Sequence, residues 1–403
     1  MHASDISILA RGRLEVWPRG LALRPPWLCG TRALTAITML TSFHLAAAEF
    51  PEPQWCDVFT TGQEGYPAYR IPALLATRQG NLLAFAEGRA QPRDHAENDI
   101  VLKRSSNQGR TWSALQVVAE DSTNALNNPT AVQLRENGRV LLVYQRYAKG
   151  FDEHRAESGL QGARICRTFM TQSDDEGVTW RRPRDITVGV KRPQLVTSTA
   201  AGPGIGIQLR AGPRAGRVLI PFNQGPYGQW KVYAVYSDDG GQSWRYGDTA
   251  PDTSQGFANE VQFVELHDGA VMLNARNQNG VKLRKMGVSR DGGETWARLR
   301  EDPALPEPAC QASILRHPTG RNAGLDVFLF SNPASPWART NGTIRLSRDE
   351  GKSWPIARVL YPGSFAYSCL TSLPDGSVGC LFERDDYKKI TFARFTLEWL
   401  SGD

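Results

Sequence analysis

Ser-Arg-Asp-Gly-Gly-Glu-Thr-Trp, residues 289–296, is one of five copies of a short phrase that is repeated along this chain. Each copy fits Ser-x-Asp-x-Gly-x-Ser/Thr-Trp, with Asn107 in place of the aspartate in the first copy. Successive copies start 52 to 68 residues apart, and a period of that length indicates repeated supersecondary units. The five copies are Ser105–Trp112, Ser173–Trp180, Ser237–Trp244, Ser289–Trp296 and Ser347–Trp354.

We call this phrase the Asp-box turn and interpret it as structural. An Asp or Asn side chain can bond backbone amides two residues on, while the glycine takes a left-handed conformation, and together they predict a tight hairpin turn. The tryptophan is then expected to begin the next strand and to pack against the neighbouring unit. The alternative, that the aspartates bind a metal, is disfavoured because the copies belong to different units and cannot converge on one ion.

A second repeat predicts six units. Glycine turns each lead into a short apolar run, and the absence of a 3.6-residue periodicity favours an all-β fold. Units of this length with about four strands each match the blades of a six-bladed β-propeller with five Asp-box turns. The stretch Lys389–Leu400 is expected to close the last blade against the N-terminal segment. The six turns are Gly80, Gly138, Gly216, Gly269, Gly324 and Gly376, and the runs are Leu82–Phe85, Val140–Tyr144, Val218–Phe222, Val271–Leu273, Leu325–Phe330 and Val378–Phe382.

The N-terminal residues predict an export signal. Arg32 precedes an apolar stretch from Ala33 to Leu45, which ends in Ala46-Ala47-Ala48. We therefore expect a leader over residues 1–48, a single propeller domain over residues 49–403, and a secreted or periplasmic protein. The alternative is a disordered tail followed by a membrane anchor, for which the apolar run is short.

Charge and cysteine content exclude some other classes of function. The net charge of +6 is distributed among interleaved acidic residues, which disfavours nucleic-acid binding. No zinc-ligand spacing is present, so no metal chemistry is expected. Removing the leader leaves an odd number of cysteines, so at least one is expected to be free; these are Cys56, Cys166, Cys310, Cys369 and Cys380.

Three arginines are candidates for a functional site. Arg70 lies in Tyr69-Arg70-Ile71-Pro72, Arg276 lies directly after a predicted strand, and Arg339 lies before Thr340-Asn341. Taken singly, each is better interpreted as a surface or ion-paired arginine. Their significance depends on the three being taken together.

With these motifs the chain resembles the exo-α-sialidase (neuraminidase) family, in its bacterial and lysosomal branch. The resemblance extends from about Asp57 to Leu400. It rests on the arginine-Ile-Pro phrase, the five Asp-box turns, Asn259-Glu260, residues 273–279 and Ser331-Asn332-Pro333. The Asp-box turn alone also occurs in non-enzymatic propellers, whereas the whole set in this order is highly specific.

The resemblance implies a receptor for the carboxylate of sialic acid, built from Arg70, Arg276 and Arg339. Guanidinium groups suit this task because they are permanently charged and meet both carboxylate oxygens through a planar fork. Glu383 matches the family acid that braces the first arginine. The alternative for Glu383 is an ordinary surface glutamate.

The resemblance also implies that Tyr367 is the nucleophile and that Glu260 is its base. A neutral phenol avoids the repulsion that a carboxylate would meet at an anomeric carbon bearing a carboxylate, and sialidases are known exceptions to the two-carboxylate scheme. A phenol with a pKa near ~10 needs such a base at neutral pH. Without the resemblance, Tyr367 would be interpreted as a core aromatic.

The acid that protonates the leaving group is expected on a loop, within Arg93-Asp94-His95-Ala96-Glu97-Asn98-Asp99. We choose Asp94 because it lies 11 residues before Ser105 and five after Arg89, spacings that resemble the family's. Asp99 leads directly into a strand and is the structural alternative.

Three further substrate contacts are implied less directly. Arg89 resembles a residue that reaches the sugar hydroxyl at position 4. Asn128 stands where many bacterial members have Asp, which leaves its pairing with Arg89 in doubt. Gln311 matches a position near the glycerol or acetamido side of the pocket.

The implied activity is hydrolysis of terminal α-linked sialic acid with retention of configuration. Sialylated glycoconjugates are the expected partners of a monomeric enzyme that needs no cofactor, binds no nucleic acid and has no stable membrane span. One alternative is a non-catalytic glycan-binding propeller. Another is a variant that transfers sialic acid or forms an anhydro product.

Overall fold

The computed structural model of this chain describes residues 51–319 and 326–402. Strands dominate these ranges, and the two helices there are single turns, so the predicted all-β class is confirmed. The strands of the first half are β1 Gln54–Thr60, β2 Ala68–Ala76, β3 Leu82–Arg89, β4 Asn98–Ser105, β5 Gln116–Ala119, β6 Ala125–Gln133, β7 Val140–Tyr147, β8 Arg167–Ser173, β9 Arg184–Asp185, β10 Thr199–Ala201, β11 Gly204–Ile205 and β12 Ile207–Gln208. Those of the second half are β13 Val218–Gln224, β14 Lys231–Ser237, β15 Arg245–Tyr246, β16 Phe257–Glu265, β17 Val271–Gln278, β18 Leu283–Ser289, β19 Arg300–Pro306, β20 Ser313–His317, β21 Val327–Pro333, β22 Thr340–Ser347, β23 Ile356–Ser372, β24 Val378–Arg384 and β25 Lys389–Phe395. The helices are α1 Thr187–Val190 and α2 Leu397–Ser401.

These strands form four sheets, largely from antiparallel neighbours in sequence. The strand orders are β2-β3-β4-β6-β7-β8-β9, β10-β13-β14-β15, β16-β17-β18-β19 and β1-β25-β24-β23-β22-β21-β20. The short strands β5, β11 and β12 pair at the sides of β4, β6 and β13. Long strand β23 changes partner along its length, because its first half pairs with β22 and its second half with β24.

The last sheet joins the two ends of the described chain. Strand β1 pairs antiparallel with β25, with Trp55 opposite Ala393 and Phe59 opposite Ile390. The expectation that the stretch beginning at Lys389 pairs with the N-terminal segment is confirmed for Lys389–Phe395. The end of that stretch forms helix α2 instead, where the side chain of Thr396 accepts a hydrogen bond from the amide of Trp399.

The Asp-box turns are held by side chains of the phrase itself. In Ser289–Trp296, the Ser289 hydroxyl donates to Asp291 Oδ1 at 2.7 Å and accepts the amide of Gly293 at 2.8 Å. The carboxylate of Asp291 accepts the amide of Thr295, which lies four residues on and not two as predicted. Gly292 and Gly293 have φ of 73° and 90°, the left-handed region that glycine enters without a Cβ penalty.

The tryptophan of each phrase packs against an apolar cluster. Trp296 contacts Phe263 at 5.2 Å between ring centroids, in a buried cluster that also contains Leu219 and Ala234 of the preceding sheet. Trp296 does not begin a strand, because β19 starts at Arg300. The predicted packing between units is therefore confirmed, while the predicted strand start is not.

The second repeat marks real strands. The apolar runs after the glycine turns lie in β3, β7, β13, β17, β21 and β24. Gly324 and Leu325 lie outside the described residues, as does the predicted leader. Within 51–319 and 326–402 no helix has the length and apolar character of a membrane span, and the five cysteines there are all free thiols.

Candidate active site

The three candidate arginines come from three different sheets and surround one tyrosine. Arg70 lies on β2, Arg276 within β17, and Arg339 immediately before β22. The guanidinium carbons of Arg70 and Arg339 lie 5.4 and 5.3 Å from the ring centroid of Tyr367, and Arg276 donates to the Tyr367 hydroxyl at 3.2 Å. Side chains as distant in sequence as those of residues 70 and 367 are thus brought together, in the arrangement that the family resemblance implied.

Glu383 is a fully buried partner of Arg70. Its carboxylate accepts Arg70 Nε at 2.6 Å and Nη2 at 3.3 Å. It also accepts the backbone amides of Ile71 and Tyr367, at 2.8 and 3.2 Å. A buried charge is tolerated only with such partners, so Glu383 fixes both the arginine and the strand that carries the tyrosine.

Tyr367 is joined to Glu260. Its hydroxyl donates to Glu260 Oε1, while Glu260 Oε2 accepts Arg276 Nη1 at 2.7 Å. Burial and the charge of Glu260 raise the pKa of Tyr367 well above its ordinary value, against the lowering effect of Arg276 and Arg339. The phenol is therefore protonated at neutral pH and must lose its proton before it can attack an electrophile.

Asp94 lies on the loop between β3 and β4, with 70% of its side chain exposed. Arg89 Nη1 donates to its Oδ1 at 2.7 Å. The surrounding loop and strands still displace some water from the carboxyl, which favours its neutral form, but the charges of Arg89 and Arg70 outweigh this effect and hold the pKa of Asp94 below its ordinary value. Asp99, the competing carboxylate, lies in β4 and accepts the hydroxyl of Tyr66 at 2.6 Å.

Arg89 is paired with a residue that the sequence analysis missed. It is 1% exposed and contacts Glu87, whose Oε2 lies 2.6 Å from its Nη2. Asn128 does not contact Arg89. Its backbone amide donates to Glu87 Oε1 at 2.8 Å, and its side-chain amide donates to Ala201 O. Glu87 and Arg89 lie two residues apart on β3, so their side chains are on the same face of the sheet. This spacing is visible in the sequence.

Gln311 does not contact the cavity as predicted. It is 1% exposed, and its amide nitrogen donates to the carbonyls of Pro203 and Ser368 at 3.3 and 3.0 Å. Its oxygen accepts the amide of Ser368 at 2.9 Å. The side-chain amide of Gln311 is therefore satisfied by partners inside the protein, and the predicted role in substrate binding is not supported.

A cavity of about 380 Å³ opens beside Tyr367. It is lined by Asp94, Arg89, Asn128, Glu260 and Arg276, which were predicted, and by Glu87, Glu153, Tyr227 and Trp230, which were not. Glu153 lies on the connection between β7 and β8. Burial, together with the charges of Glu260 and Asp94, raises the pKa of Glu153 to about 7.

A buried ion pair supports the triad from below. Arg284 and Glu307 are fully buried, with Nη1 and Oε2 3.0 Å apart. Glu307 also accepts the amides of Asn277, next to Arg276, and of Cys310, at 2.5 and 3.0 Å. The neighbouring carbonyl of Ala309 accepts Arg339 Nη2 at 3.3 Å. One internal pair therefore fixes the backbone beside two of the three arginines.

The arrangement has a defined chemical capacity. Three permanently charged groups can bind an anion, and they hold it against a phenol that has a carboxylate within hydrogen-bond reach. An exposed carboxyl on a loop is placed to exchange a proton with a bound group.

Comparison with known proteins identifies relatives of this chain. Residues 80–380 match the family model of the BNR repeat-like domain. The chain is 39% identical to a sialidase from Micromonospora viridifaciens over 86% of its length, but spans only 54% of that relative. It is 30% identical to sialidase-2 from Cricetulus griseus, covering 84% of this chain and 95% of the relative. Among solved structures, a Hadza microbial sialidase is similar at 28% identity with a TM-score of 0.78, over 86% of this chain and 69% of that one.

Proposed function

Because this chain belongs to the sialidase family, we propose that it is an exo-α-sialidase that hydrolyses terminal α-linked sialic acid from glycoconjugates with retention of configuration. The observation that carries the proposal is the gathering of Arg70, Arg276 and Arg339 around Tyr367, with Glu260 bonded to its hydroxyl. A sugar with a carboxylate on its anomeric carbon fits this set of groups.

In the proposed first step, Glu260 takes the phenol proton as Tyr367 Oη bonds to the anomeric carbon. The glycosidic bond breaks at the same centre, and the leaving oxygen takes a proton from Asp94. In the second step, water attacks the anomeric carbon and gives a proton to Asp94, while the bond to Tyr367 breaks and Glu260 returns its proton to the phenol oxygen. Two inversions at one carbon give net retention.

The arginines contribute by binding the carboxylate as the sugar ring flattens. Positive charge develops at the anomeric carbon, and the neighbouring carboxylate, held by Arg70, Arg276 and Arg339, stays ionised and close to it. In the free protein the charge of Arg70 lowers the pKa of Asp94. The bound carboxylate offsets that charge. Substrate binding therefore favours the protonated form of Asp94 that the first step needs.

We also infer a six-bladed β-propeller from the strand pairings. Each of six consecutive groups has four antiparallel strands, if the short strands β11 and β12 are set aside, β23 is divided between the last two groups and β1 is assigned to the last. The groups begin at β2, β6, β10, β16, β20 and the second half of β23. For the location of the protein we propose secretion or export to the periplasm, on the leader-like composition of residues 33–48.

A non-catalytic glycan-binding propeller is the main competing function. A propeller that had lost catalysis would be expected to lack some of the catalytic residues. All five are present in this chain, namely Arg70, Arg276, Arg339, Tyr367 and Glu260. Transfer of sialic acid to another sugar uses the same groups and differs only in what attacks the covalent intermediate.

Product analysis distinguishes these functions. Proton NMR of the reaction with a sialyl-oligosaccharide, in the presence of lactose, is expected to show the α-anomer of free sialic acid as the first product. Initial release of the β-anomer would contradict retention, and sialyl-lactose or an anhydro sugar as the main product would replace hydrolysis. Binding of a sialoside with no turnover would favour the glycan-binding module.

A further inference from the structure

The turn between β24 and β25 has an unusual backbone. Asp385, Asp386 and Tyr387 are consecutive non-glycine residues with φ of 52°, 53° and 66°. Aspartate enters the left-handed region at modest cost because its short side chain can hydrogen-bond to the nearby backbone, whereas a tyrosine has no such compensation and is uncommon there. Conformations of this kind persist only where the surroundings enforce them, and they concentrate at functional sites.

Three contacts enforce this turn. The hydroxyl of Tyr361 donates to Asp385 Oδ1 at 2.6 Å, and the amide of Asp386 donates to Ser364 Oγ at 3.0 Å. The carbonyl of Tyr387 accepts the hydroxyl of Thr61 at 3.1 Å. The turn is thus fixed by Thr61, which follows β1, and by two residues of β23, and it directs the side chain of Tyr387 toward the arginines.

Tyr387 contacts two arginines of the triad. The guanidinium of Arg70 lies over its ring, 4.1 Å from the centroid, and Arg339 Nη1 donates to its hydroxyl oxygen at 3.1 Å. The first contact stabilises a cation that has been removed from water. The second orients the hydroxyl: since its oxygen accepts from Arg339, its own proton is directed elsewhere. Within residues 51–319 and 326–402 that proton has no acceptor.

We propose that Tyr387 is a fourth member of the carboxylate receptor, donating its hydroxyl proton to the carboxylate of the bound sugar while it holds Arg70 and Arg339 apart. This inference rests on the proposed function. A phenol suits the position because it adds a donor without adding a charge, where a fourth cation would increase the repulsion among the arginines. The strained turn is the means by which the fold places it there.

The test compares a charged with an uncharged ligand. We would measure binding of 2-deoxy-2,3-didehydro sialic acid and of its methyl ester by calorimetry, for wild type and for Tyr387→Phe. The substitution keeps the ring over Arg70 and removes only the hydroxyl. The acid should bind about tenfold more weakly, because a hydrogen bond to a charged group is lost, and the ester should bind as before. With a sialoside substrate, KM should rise while kcat changes little.

A second variant and a control complete the design. Tyr387→Leu also removes the ring from Arg70 and should weaken binding of the acid further than Tyr387→Phe does. Tyr236→Phe, a matched change on β14 under Arg217, should alter neither affinity. The thermal midpoint of each variant is measured alongside, to separate loss of fold from loss of binding.

The outcomes distinguish this inference from the proposed function. Equal losses for acid and ester in Tyr387→Phe, or no loss for either, would overturn the role of Tyr387 while wild type still binds and turns over sialosides. If wild type itself does not prefer the acid to the ester, the carboxylate receptor and hence the proposed function are wrong.

Discussion

Tyr367 and Glu260 lie 107 residues apart in sequence and share a hydrogen bond from the phenol hydroxyl to carboxylate Oε1. The other carboxylate oxygen holds Arg276, so Glu260 connects the phenol to the anion receptor. Burial raises the free energy of the ionised phenolate, so the phenol of Tyr367 needs a base. Glu260 is the group positioned to take the phenol proton.

The first prediction concerns the hydroxyl of Tyr367. Tyr367→Phe removes one oxygen from a buried ring and should leave the fold intact, but kcat for natural sialosides should fall by roughly 10³-fold or more, because the nucleophile is lost. Steady-state kinetics and a circular dichroism melt would measure the two effects. A variant that keeps more than about a tenth of wild-type turnover would contradict the assignment of the nucleophile.

The second prediction concerns the acid on the β3–β4 loop. Asp94→Ala should damage hydrolysis of natural glycosides by about 10²-fold or more and spare an aryl sialoside, whose good leaving group needs no proton. Paired kcat/KM measurements on the two substrates would check this. Equal losses on both would argue against Asp94, and Asp99→Asn serves as the comparison within the same segment.

The third prediction concerns recognition of the carboxylate. Arg339→Ala removes a guanidinium that has no carboxylate partner among the described residues, so sialoside binding should weaken by about tenfold or more, since a charge-assisted contact is lost. An uncharged methyl ester should bind wild type and variant alike. A parallel loss for both ligands would mean that Arg339 acts on the fold and not on the anion.

The fourth prediction concerns the pH dependence of stability. The pKa of Glu153 is raised to about 7 in the folded protein, so the folded state holds this proton more tightly than the unfolded chain does. Its contribution to the free energy of unfolding is present below about pH 4 and is lost as the pH rises toward 7. Glu153→Gln should remove that contribution. The drop in thermal midpoint between pH 5 and pH 8 should become smaller than in wild type or in the exposed-site control Glu120→Gln, and an unchanged drop would contradict the prediction.

The fifth prediction concerns the ion pair below the triad. Glu307→Gln leaves Arg284 buried without its partner and should lower the free energy of unfolding by about 3–5 kcal/mol. Arg290→Gln breaks the ion pair of Arg290 with Asp268, whose side chains are 78% and 56% exposed. This change should lower the free energy of unfolding by about 0–1 kcal/mol. Denaturant titration of both variants gives the comparison. Similar costs for the two would show that the buried pair has no special role.

Local patterns in this sequence predicted much of the strand framework. Each Asp-box turn is closed by its own side chains, as in Ser289–Trp296, so the phrase specifies its structure wherever it occurs. The apolar runs after the glycine turns were also visible in the sequence, because they are short and each follows a glycine. The resemblance to a family added the positions of Arg70, Arg276 and Arg339, whose convergence no local pattern could show.

The parts that the sequence did not predict depend on contacts between distant segments. Glu153 has a raised pKa only because the fold brings it near Glu260 and Asp94. Gln311 was interpreted as a ligand contact, but Ser368 of β23 satisfies its side-chain amide. Tyr387 follows two aspartates in a turn that reads as an ordinary polar hairpin, and its left-handed backbone has no sequence signal.

The pairing of β1 with β25 has a consequence for the order of folding. Residues 54–60 are synthesised first among the described strands, yet their partner, residues 389–395, is among the last. Residues 54–60 therefore lack their strand partner during most of translation. In that time they can pair with non-native strands, which a chaperone would have to prevent. Completion of this sheet is then a late and slow event of high contact order, and a ribosome stalled before residue 389 would carry a chain whose first strand has no partner.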